Sequence, residues 1–132
     1  MIGSGVYNYI NLLSKAADAS WVRNTVLNNN LANVSTPGFK RSDIAFEDYL
    51  KKELSSAGTN VFMDQAVAGV DLSKLNVTTY VDQKELSYRL DGNNVDVDVE
   101  NANLAQNSIR YYTLLDSITQ EFSRIRMVLN RN

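Results

Sequence analysis

The acidic and amide side chains just before the C-terminal third of the chain come closest to the composition of a metal site. Their oxygen atoms are of the kind that Ca²⁺ accepts in proteins. The residues concerned are Asp91, Asn93, Asp96, Asp98 and Glu100. A calcium loop of the EF-hand type needs a glycine at its sixth position and a glutamate at its twelfth, whereas Gly92 is the second residue here. The spacing therefore argues against a calcium loop.

Alternation with a period of two gives a simpler interpretation of the same run. Val95, Val97 and Val99 would share one side of an extended segment, and the polar residues between them would share the other. This segment would lead into a C-terminal helix, whose first turn Asp98 or a neighbouring residue would cap. The run is thus predicted to position a helix rather than to bind a cation.

The residue types that perform most enzyme chemistry are missing. The 132-residue chain has no histidine and no cysteine, which removes the commonest general base and the thiolate metal ligands. Gly3, Ser4 and Gly5 do not make a phosphate loop, which needs the pattern G-x-x-x-x-G-K-[ST]. No spacing singles out a pair of carboxylates. We therefore expect no enzyme, no cofactor, and no catalytic or metal-binding residues.

The overall composition fits one soluble domain. The chain is 44% hydrophobic and 21% charged, and its net charge is −2. This balance does not favour a nucleic-acid partner, which would select a basic patch. The first residues carry no basic region and no long apolar run. We therefore expect neither a cleavable secretory signal nor a membrane-spanning segment.

The turn motif is the most distinctive local pattern in the sequence. Asparagine is a poor helix former, so its clustering at a helix end suggests hydrogen bonds across to another helix or to a turn. Pro37 lacks an amide N–H and biases Thr36 away from the α region, while Gly38 permits a positive φ. We expect the first helix to end within residues 33–35. The turn motif comprises Asn29, Asn30, Asn33, Thr36, Pro37, Gly38 and Phe39.

Two stripes of apolar residues, spaced alternately by four and three, predict long helices that pack on other helices. The first lies in residues 1–38, where Ser20 and Asn24 fill one gap and Trp21 borders the stripe. Its members are Val6, Ile10, Leu13, Ala17, Leu27 and Leu31. The second lies in residues 98–132, and its members are Leu104, Tyr111, Leu115, Ile118, Phe122, Ile125 and Leu129. Ile109, Tyr112 and Val128 lie outside this stripe. Apolar residues outside the predicted contact of a long helix indicate further partner helices.

These elements predict a mainly α fold with three zones. Long N- and C-terminal helices, in residues 1–38 and 98–132, would pair as an antiparallel, coiled-coil-like core. Residues 39–97 would form an irregular central segment, with a short helix at 43–54 and β pieces at 76–81 and 86–90. The apolar density of this segment is too thin to predict a core.

The stretch from Asn29 to Arg41 resembles a signature that flagellar axial proteins of the rod and hook share, usually seen as NNLAN…T.GFK/YK. Nearly every position of that signature is present, and it lies close to the N-terminus, as in those proteins. The chain resembles proximal rod subunits in its short length. Hook and distal rod proteins are longer because they carry a large central domain.

Three further blocks resemble the FlgB-type proximal rod family. Residues 41–46 are similar to its R.D.DF segment, residues 92–100 to its GNNVDLD.E run, and residues 104–111 to its LA.N...Y helix start. The blocks follow the family's order. Asn101 replaces the methionine usual after Glu100, and residues 55–86 resemble nothing in the family.

The resemblance implies a structural subunit of the proximal rod of the bacterial flagellar basal body, in the periplasm. The protein would polymerise through its terminal helices, with the residues of the two apolar stripes at the subunit interface, and would transmit torque. Its implied partners are copies of itself, other rod subunits, a FliE-type adapter between rod and membrane ring, and the flagellar export gate. The type III apparatus would export it without a cleavable signal.

A helical adaptor or export chaperone of the same flagellar system is the alternative. Such a protein would also use amphipathic helices. The turn at Thr36, Pro37 and Gly38 disfavours this alternative, because a chaperone has no need of it.

Overall fold

Two long helices and a short central sheet make up the fold. The computed structural model describes residues 4–56, 58, 61–83 and 89–131. In chain order the elements are α1 (Ser4–Ala32), β1 (Ser42–Ile44), α2 (Phe46–Ser56), α3 (Met63–Ala68), a 3-10 turn (Leu72–Lys74), β2 (Thr79–Val81) and α4 (Val97–Leu129). The predicted mainly α fold with long terminal helices is confirmed. None of the helices in these ranges has an apolar stretch long enough to cross a membrane.

The terminal helices α1 and α4 pack against each other in opposite directions. Near the end of α1, the Asn30 amide contacts Glu100 in the first turn of α4. Further along α4, Asn107 reaches back to Ser20, which lies earlier in α1. The two contacts show that α1 and α4 are antiparallel. The predicted antiparallel pairing is therefore confirmed.

The central sheet has two antiparallel strands. Ser42 in β1 lies opposite Val81 in β2, and Ile44 lies opposite Thr79. Of the β piece predicted at 76–81, the last three residues are thus confirmed as a strand. Of the piece predicted at 86–90, residues 86–88 lie outside the described residues and residues 89–91 form a turn. The predicted helix at 43–54 begins later, at Phe46, because the residues before it pair with β2.

The central segment contributes to the core, which corrects the expectation that its apolar density was too thin. Phe46, Val67 and Leu75 are buried together with two residues of α1. Those two are Leu12 and Ala19, on a face of α1 next to the one that meets α4. The helix α1 therefore packs on two sides. Each short central element supplies only one or two buried residues, so the sequence shows no hydrophobic periodicity there.

The start of α4 corrects the predicted alternation of valines and agrees with the predicted cap. Asp96, a neighbour of Asp98, caps the helix: its Oδ1 accepts hydrogen bonds from the N–H groups of Asp98 at 2.9 Å and Val99 at 3.2 Å. Because the helix then begins at Val97, the alternation of valines ends there. Val95 is buried, whereas Val97 and Val99 are exposed on the first turn.

Replacement of Leu75 by alanine tests whether the central segment is part of the core. Leu75 is 0% exposed, so Leu75→Ala should lower the free energy of unfolding by about 2–5 kcal/mol through lost burial and the cavity left behind. Denaturant unfolding followed by circular dichroism measures this. The control is Leu90→Ala, since Leu90 is fully exposed. Equal stability of the two variants would show that Leu75 does not pack against α1.

Candidate functional site

The end of α1 is closed by a side chain from a distant part of the sequence. Carbonyl groups in the turn that follows a helix need hydrogen-bond partners from elsewhere. Here the Nδ2 of Asn93 donates to three carbonyl oxygens just past α1: Asn33 at 2.9 Å, Val34 at 3.0 Å and Thr36 at 2.9 Å. Its Oδ1 accepts from the N–H of Val95 at 2.7 Å. Asn93, which is fully buried, therefore attaches the turn motif to the segment that leads into α4.

The turn itself has the predicted backbone geometry. Gly38 has a φ of +70°, in the left-handed region that favours glycine. Its N–H donates to the carbonyl oxygen of Asp91 at 2.7 Å, and the N–H of Asn94 donates to the carbonyl oxygen of Phe39 at 3.4 Å. The helix ends at Ala32, one residue before the predicted range. Pro37 and Gly38 thus bring the chain alongside residues 91–94.

Asn30 supplies the cross-connection that the asparagine cluster predicted. Its Nδ2 donates to the carbonyl oxygen of Ser42 at 2.8 Å, and its Oδ1 accepts from the N–H of Ser42 at 2.9 Å. The same Nδ2 lies 3.3 Å from a carboxylate oxygen of Glu100. Asn33 acts locally, donating to the carbonyl oxygen of Asn29. Asn30 is therefore the member of the cluster that links α1, β1 and α4.

Arg41 occupies the centre of a charged cluster at this end of the helix pair. Its guanidinium pairs with Glu100, with Asp82 at 2.8 Å and with Asp43 at 3.2 Å. Arg23 of α1 pairs with Asp43 at 2.8 Å. We define these five residues as the ion cluster. It joins α1, β1, the end of β2 and α4.

The ion cluster keeps the Arg41 guanidinium charged. Burial would lower the pKa of the Arg41 guanidinium, but hydrogen bonds and charge from Glu100, with further bonds to Asp43 and Asp82, raise that pKa above its ordinary value. Glu100 is 0% exposed, so its carboxylate depends on Arg41 and Asn30 for compensation. The arrangement holds the surrounding elements together.

Sequence reasoning missed most of the ion cluster. It considered Arg41 only within the stretches that resemble the family and Glu100 only within the acidic run, and it assigned no role to Arg23 or Asp82. One signal was present: Glu100 lies four residues before Leu104, so it continues the apolar stripe of the C-terminal helix with a charge. A charge at such a position indicates a buried partner.

The apolar stripe predicted on the N-terminal helix lies where α1 meets the rest of the chain. Four of its members are buried and two are half-buried. The buried ones are Ile10, Leu13, Ala17 and Leu27, and the half-buried ones are Val6 and Leu31. Trp21 borders this stripe as predicted, with its ring centroid 5.9 Å from that of Tyr111.

The stripe predicted on the C-terminal helix divides into two groups. Leu104, Tyr111, Ile118 and Ile125 are half-buried. Leu115, Phe122 and Leu129 are 37%, 53% and 63% exposed, so they do not belong to the contact within the chain. Leu114, just before Leu115, and Glu121, just before Phe122, are half-buried instead. The prediction included four of the residues on the side of α4 that faces the chain, and it omitted Asn107 and Glu121 because they are not apolar.

Comparison with known proteins gives matches over nearly the whole chain. It is 33% identical over 125 residues to the flagellar basal body rod protein FlgB of Bacillus subtilis (strain 168), covering 94% of this chain and 92% of that protein. It is 32% identical over 130 residues to FlgB of Borrelia hermsii, covering 91% and 94%. A shorter match, 51% identical over 47 residues, joins 36% of this chain to 18% of the flagellar basal-body rod protein FlgG of Buchnera aphidicola subsp. Schizaphis graminum. No protein-family profile matches the chain.

Removal of the Arg41 side chain tests the ion cluster. Arg41→Ala leaves the buried carboxylate of Glu100 without its cation, so the free energy of unfolding should fall by about 3–5 kcal/mol. Urea denaturation measures the change. Lys74→Ala is the control, because Lys74 and Asp71 form an exposed ion pair at the 3-10 turn and such pairs contribute little. If both variants unfold at the same urea concentration, the cluster does not stabilise the fold.

The pH dependence of stability tests Asp43 separately. Burial would raise the pKa of Asp43, but hydrogen bonds and charge from Arg23, with the N–H of Ile44 and Arg41, hold it below its ordinary value. The stabilisation is therefore fully present above the unfolded pKa, about 3.9, and is lost as the pH falls through the lower native pKa.

Asp43→Asn should consequently flatten the fall in the thermal midpoint between about pH 5 and pH 2. Thermal unfolding at a series of pH values measures this. Asp18→Asn, on the exposed side of α1, serves as the control. A slope in Asp43→Asn as steep as in the unmodified chain would contradict the assignment.

Proposed function

Because this chain belongs to the family of the flagellar basal body rod protein FlgB, we propose that it is a proximal-rod subunit that polymerises through its paired terminal helices. Members of this family are structural subunits of the basal-body rod. The proposal contains no catalytic step. The matches reach across both long helices, which are the elements that would assemble.

A stripe of exposed residues on α4, three of them apolar, is the observation that carries the proposal. Its members follow one another at steps of four and three, which places them along one flank of the helix. They are Leu115, Thr119, Phe122, Arg126 and Leu129, and we call them the outer stripe. All five are exposed in the single chain. Leu115, Phe122 and Leu129 expose apolar side chains at intervals of two turns along this flank, which favours packing against another protein surface.

The ion cluster supports a role in transmitting torque. A rod subunit under torsion has to keep its two helices in one relative position. Pairing of Glu100 with Arg41 and with Asn30 opposes sliding of α4 along α1, because any shift would separate buried polar partners. The helix pair would then transmit torque as one rigid unit.

The resemblance and the family membership support the remaining parts of the proposal. The subunit would lie in the periplasmic rod at its cell-proximal end, beside copies of itself and other rod subunits. A FliE-type adapter and the flagellar export gate would adjoin it on the membrane side. Export would proceed through the flagellar type III apparatus without a cleavable signal. Nothing in the names of the relatives favours the alternative of an adaptor or export chaperone.

A charge placed in the outer stripe should prevent assembly without unfolding the chain. Leu115 is partly exposed, so Leu115→Asp should leave the circular dichroism spectrum and expression unchanged while blocking incorporation into basal bodies, since burial of a carboxylate against a neighbouring subunit is unfavourable. Quantitative immunoblotting of isolated basal bodies and a motility assay measure this.

Thr113→Asp is the matched control, because Thr113 is an exposed polar residue of the same helix outside the outer stripe. This variant should be incorporated and motile. Normal motility of Leu115→Asp would exclude the outer stripe from the subunit interface.

A further inference from the structure

The turn before α4 contains a dipeptide with a reactivity that the rod function does not use. Asp91 is the only aspartate or asparagine of the chain that a glycine follows. The backbone nitrogen of a residue can attack the side-chain carboxyl carbon of a preceding aspartate and close a ring. Glycine has no side chain to hinder this attack. Asp91–Gly92 is therefore the aspartyl bond of the chain most prone to such ring closure.

The reaction exchanges one peptide linkage for another without a change of mass. The Gly92 nitrogen bonds to Cγ of Asp91, and the carboxyl hydroxyl leaves as water with the amide proton, which gives a succinimide. Water then adds to one of the two ring carbonyl carbons. Addition at the main-chain carbon of Asp91 breaks its bond to the Gly92 nitrogen, so the chain continues through Cβ and Cγ as isoaspartate. Addition at Cγ restores the aspartate.

The folded turn needs the same glycine that creates this reactivity. Gly92 has a φ of +75°, in the left-handed region that favours glycine. Just before it, the carbonyl oxygen of Asp91 accepts the N–H of Gly38 at 2.7 Å. A larger residue at position 92 would hinder ring closure, but it would also strain the turn that meets the end of α1.

The contacts of the folded turn oppose ring closure at both reacting groups. The N–H of Gly92 donates to the carbonyl oxygen of Arg89 at 3.1 Å. The carboxyl group of Asp91 is held at both oxygens, by the Arg89 guanidinium at 2.9 Å and by the N–H of Asn93 at 3.1 Å. The bond from Asn93 and the charge of Arg89 hold the pKa of Asp91 below its ordinary value. The group is therefore kept as a carboxylate, which has no hydroxyl to lose as water.

We propose that Asp91–Gly92 is a site of isoaspartate formation in the unfolded chain, that the folded turn protects it, and that the isomerised chain cannot close the end of the helix pair. The isoaspartyl linkage lengthens the main chain by one atom shortly before Asn93. The amide of Asn93 bonds to three carbonyl oxygens that follow α1, while Gly38 bonds to Asp91. A longer linkage between these two anchors would displace one of them.

Parallel incubation of the full chain in native buffer and in urea, at one pH and temperature, tests the site and its protection. Trypsin releases residues 90–110 as one peptide, which contains Asp91 and two internal controls, Asp96 and Asp98, each followed by a valine. Chromatography separates the isomeric peptides, and electron-transfer fragmentation locates the isoaspartate. We expect it to accumulate at Asp91 about tenfold faster in urea, because the folded chain reacts only when the turn opens.

Two results would overturn the proposal. Isoaspartate at Asp91 at the same rate in both buffers would show that the folded turn gives no protection. Accumulation in urea that is no greater at Asp91 than at Asp96 and Asp98 would show that the dipeptide is not a preferred site. Neither result bears on the rod function.

Asn93→Ala tests whether docking of the turn provides the protection, because it keeps both reacting residues and removes the amide that holds the turn to α1. In native buffer the folded variant should form isoaspartate at Asp91 several-fold faster than the unmodified chain. Leu90→Ala is the matched control, since Leu90 is fully exposed beside the same dipeptide, and it should react as slowly as the unmodified chain.

Circular dichroism shows whether the Asn93→Ala variant folds. If it does not, Arg89→Gln decides, since it removes the guanidinium that pairs with Asp91. A folded variant that reacts no faster than Leu90→Ala would contradict the protective role of the turn.

Refolding tests the consequence for the helix pair. After the incubation in urea, the chain is returned to native buffer and the folded monomer is collected by size-exclusion chromatography. Isoaspartate at Asp91 should be depleted about tenfold in this fraction relative to the material before refolding. Equal content in the two samples would show that the longer linkage fits the turn.

Discussion

The contact between Arg41 and Glu100 is the constraint on which the arrangement of the helices depends. Glu100 lies in the first turn of α4 and is fully buried, so its charge is tolerable only where Arg41 and Asn30 reach it. Arg41 follows the turn after α1, and its other partners hold the central sheet. Displacement of α4 by one turn would leave a buried carboxylate without a cation. The cluster therefore fixes the relative position of the long helices and of the sheet.

The turn motif gains a physical explanation from the same region. Gly38 takes a positive φ, Asn93 bonds to the carbonyl groups that follow α1, and Asn30 holds β1 through both its amide atoms. Each role needs a specific residue type: glycine for the backbone, and a primary amide that donates and accepts at once. Residues of the motif and of the 92–100 run thus form one structure, although half the chain separates them.

The helix pair presents different surfaces for different tasks. The inner faces of α1 and α4 hold the subunit together, and the second buried face of α1 packs on the central segment. The outer stripe of α4 is exposed in the single chain. A rod subunit needs this combination of internal rigidity and an exposed surface for contact.

The sequence alone determined the long terminal helices, the turn at Gly38 and the family, because periodicity, proline and glycine act within a few residues of chain. The tertiary structure decided which flank of α4 meets α1. Leu115 and Phe122 fit the apolar period as well as any residue, but the polar contact of Asn107 with Ser20 places their neighbours inside. The tertiary structure also decided the ion cluster and the core role of Leu75. Arg41 lies 41 residues from Asp82 and 59 residues from Glu100, so these partners are brought together only when the helices pack.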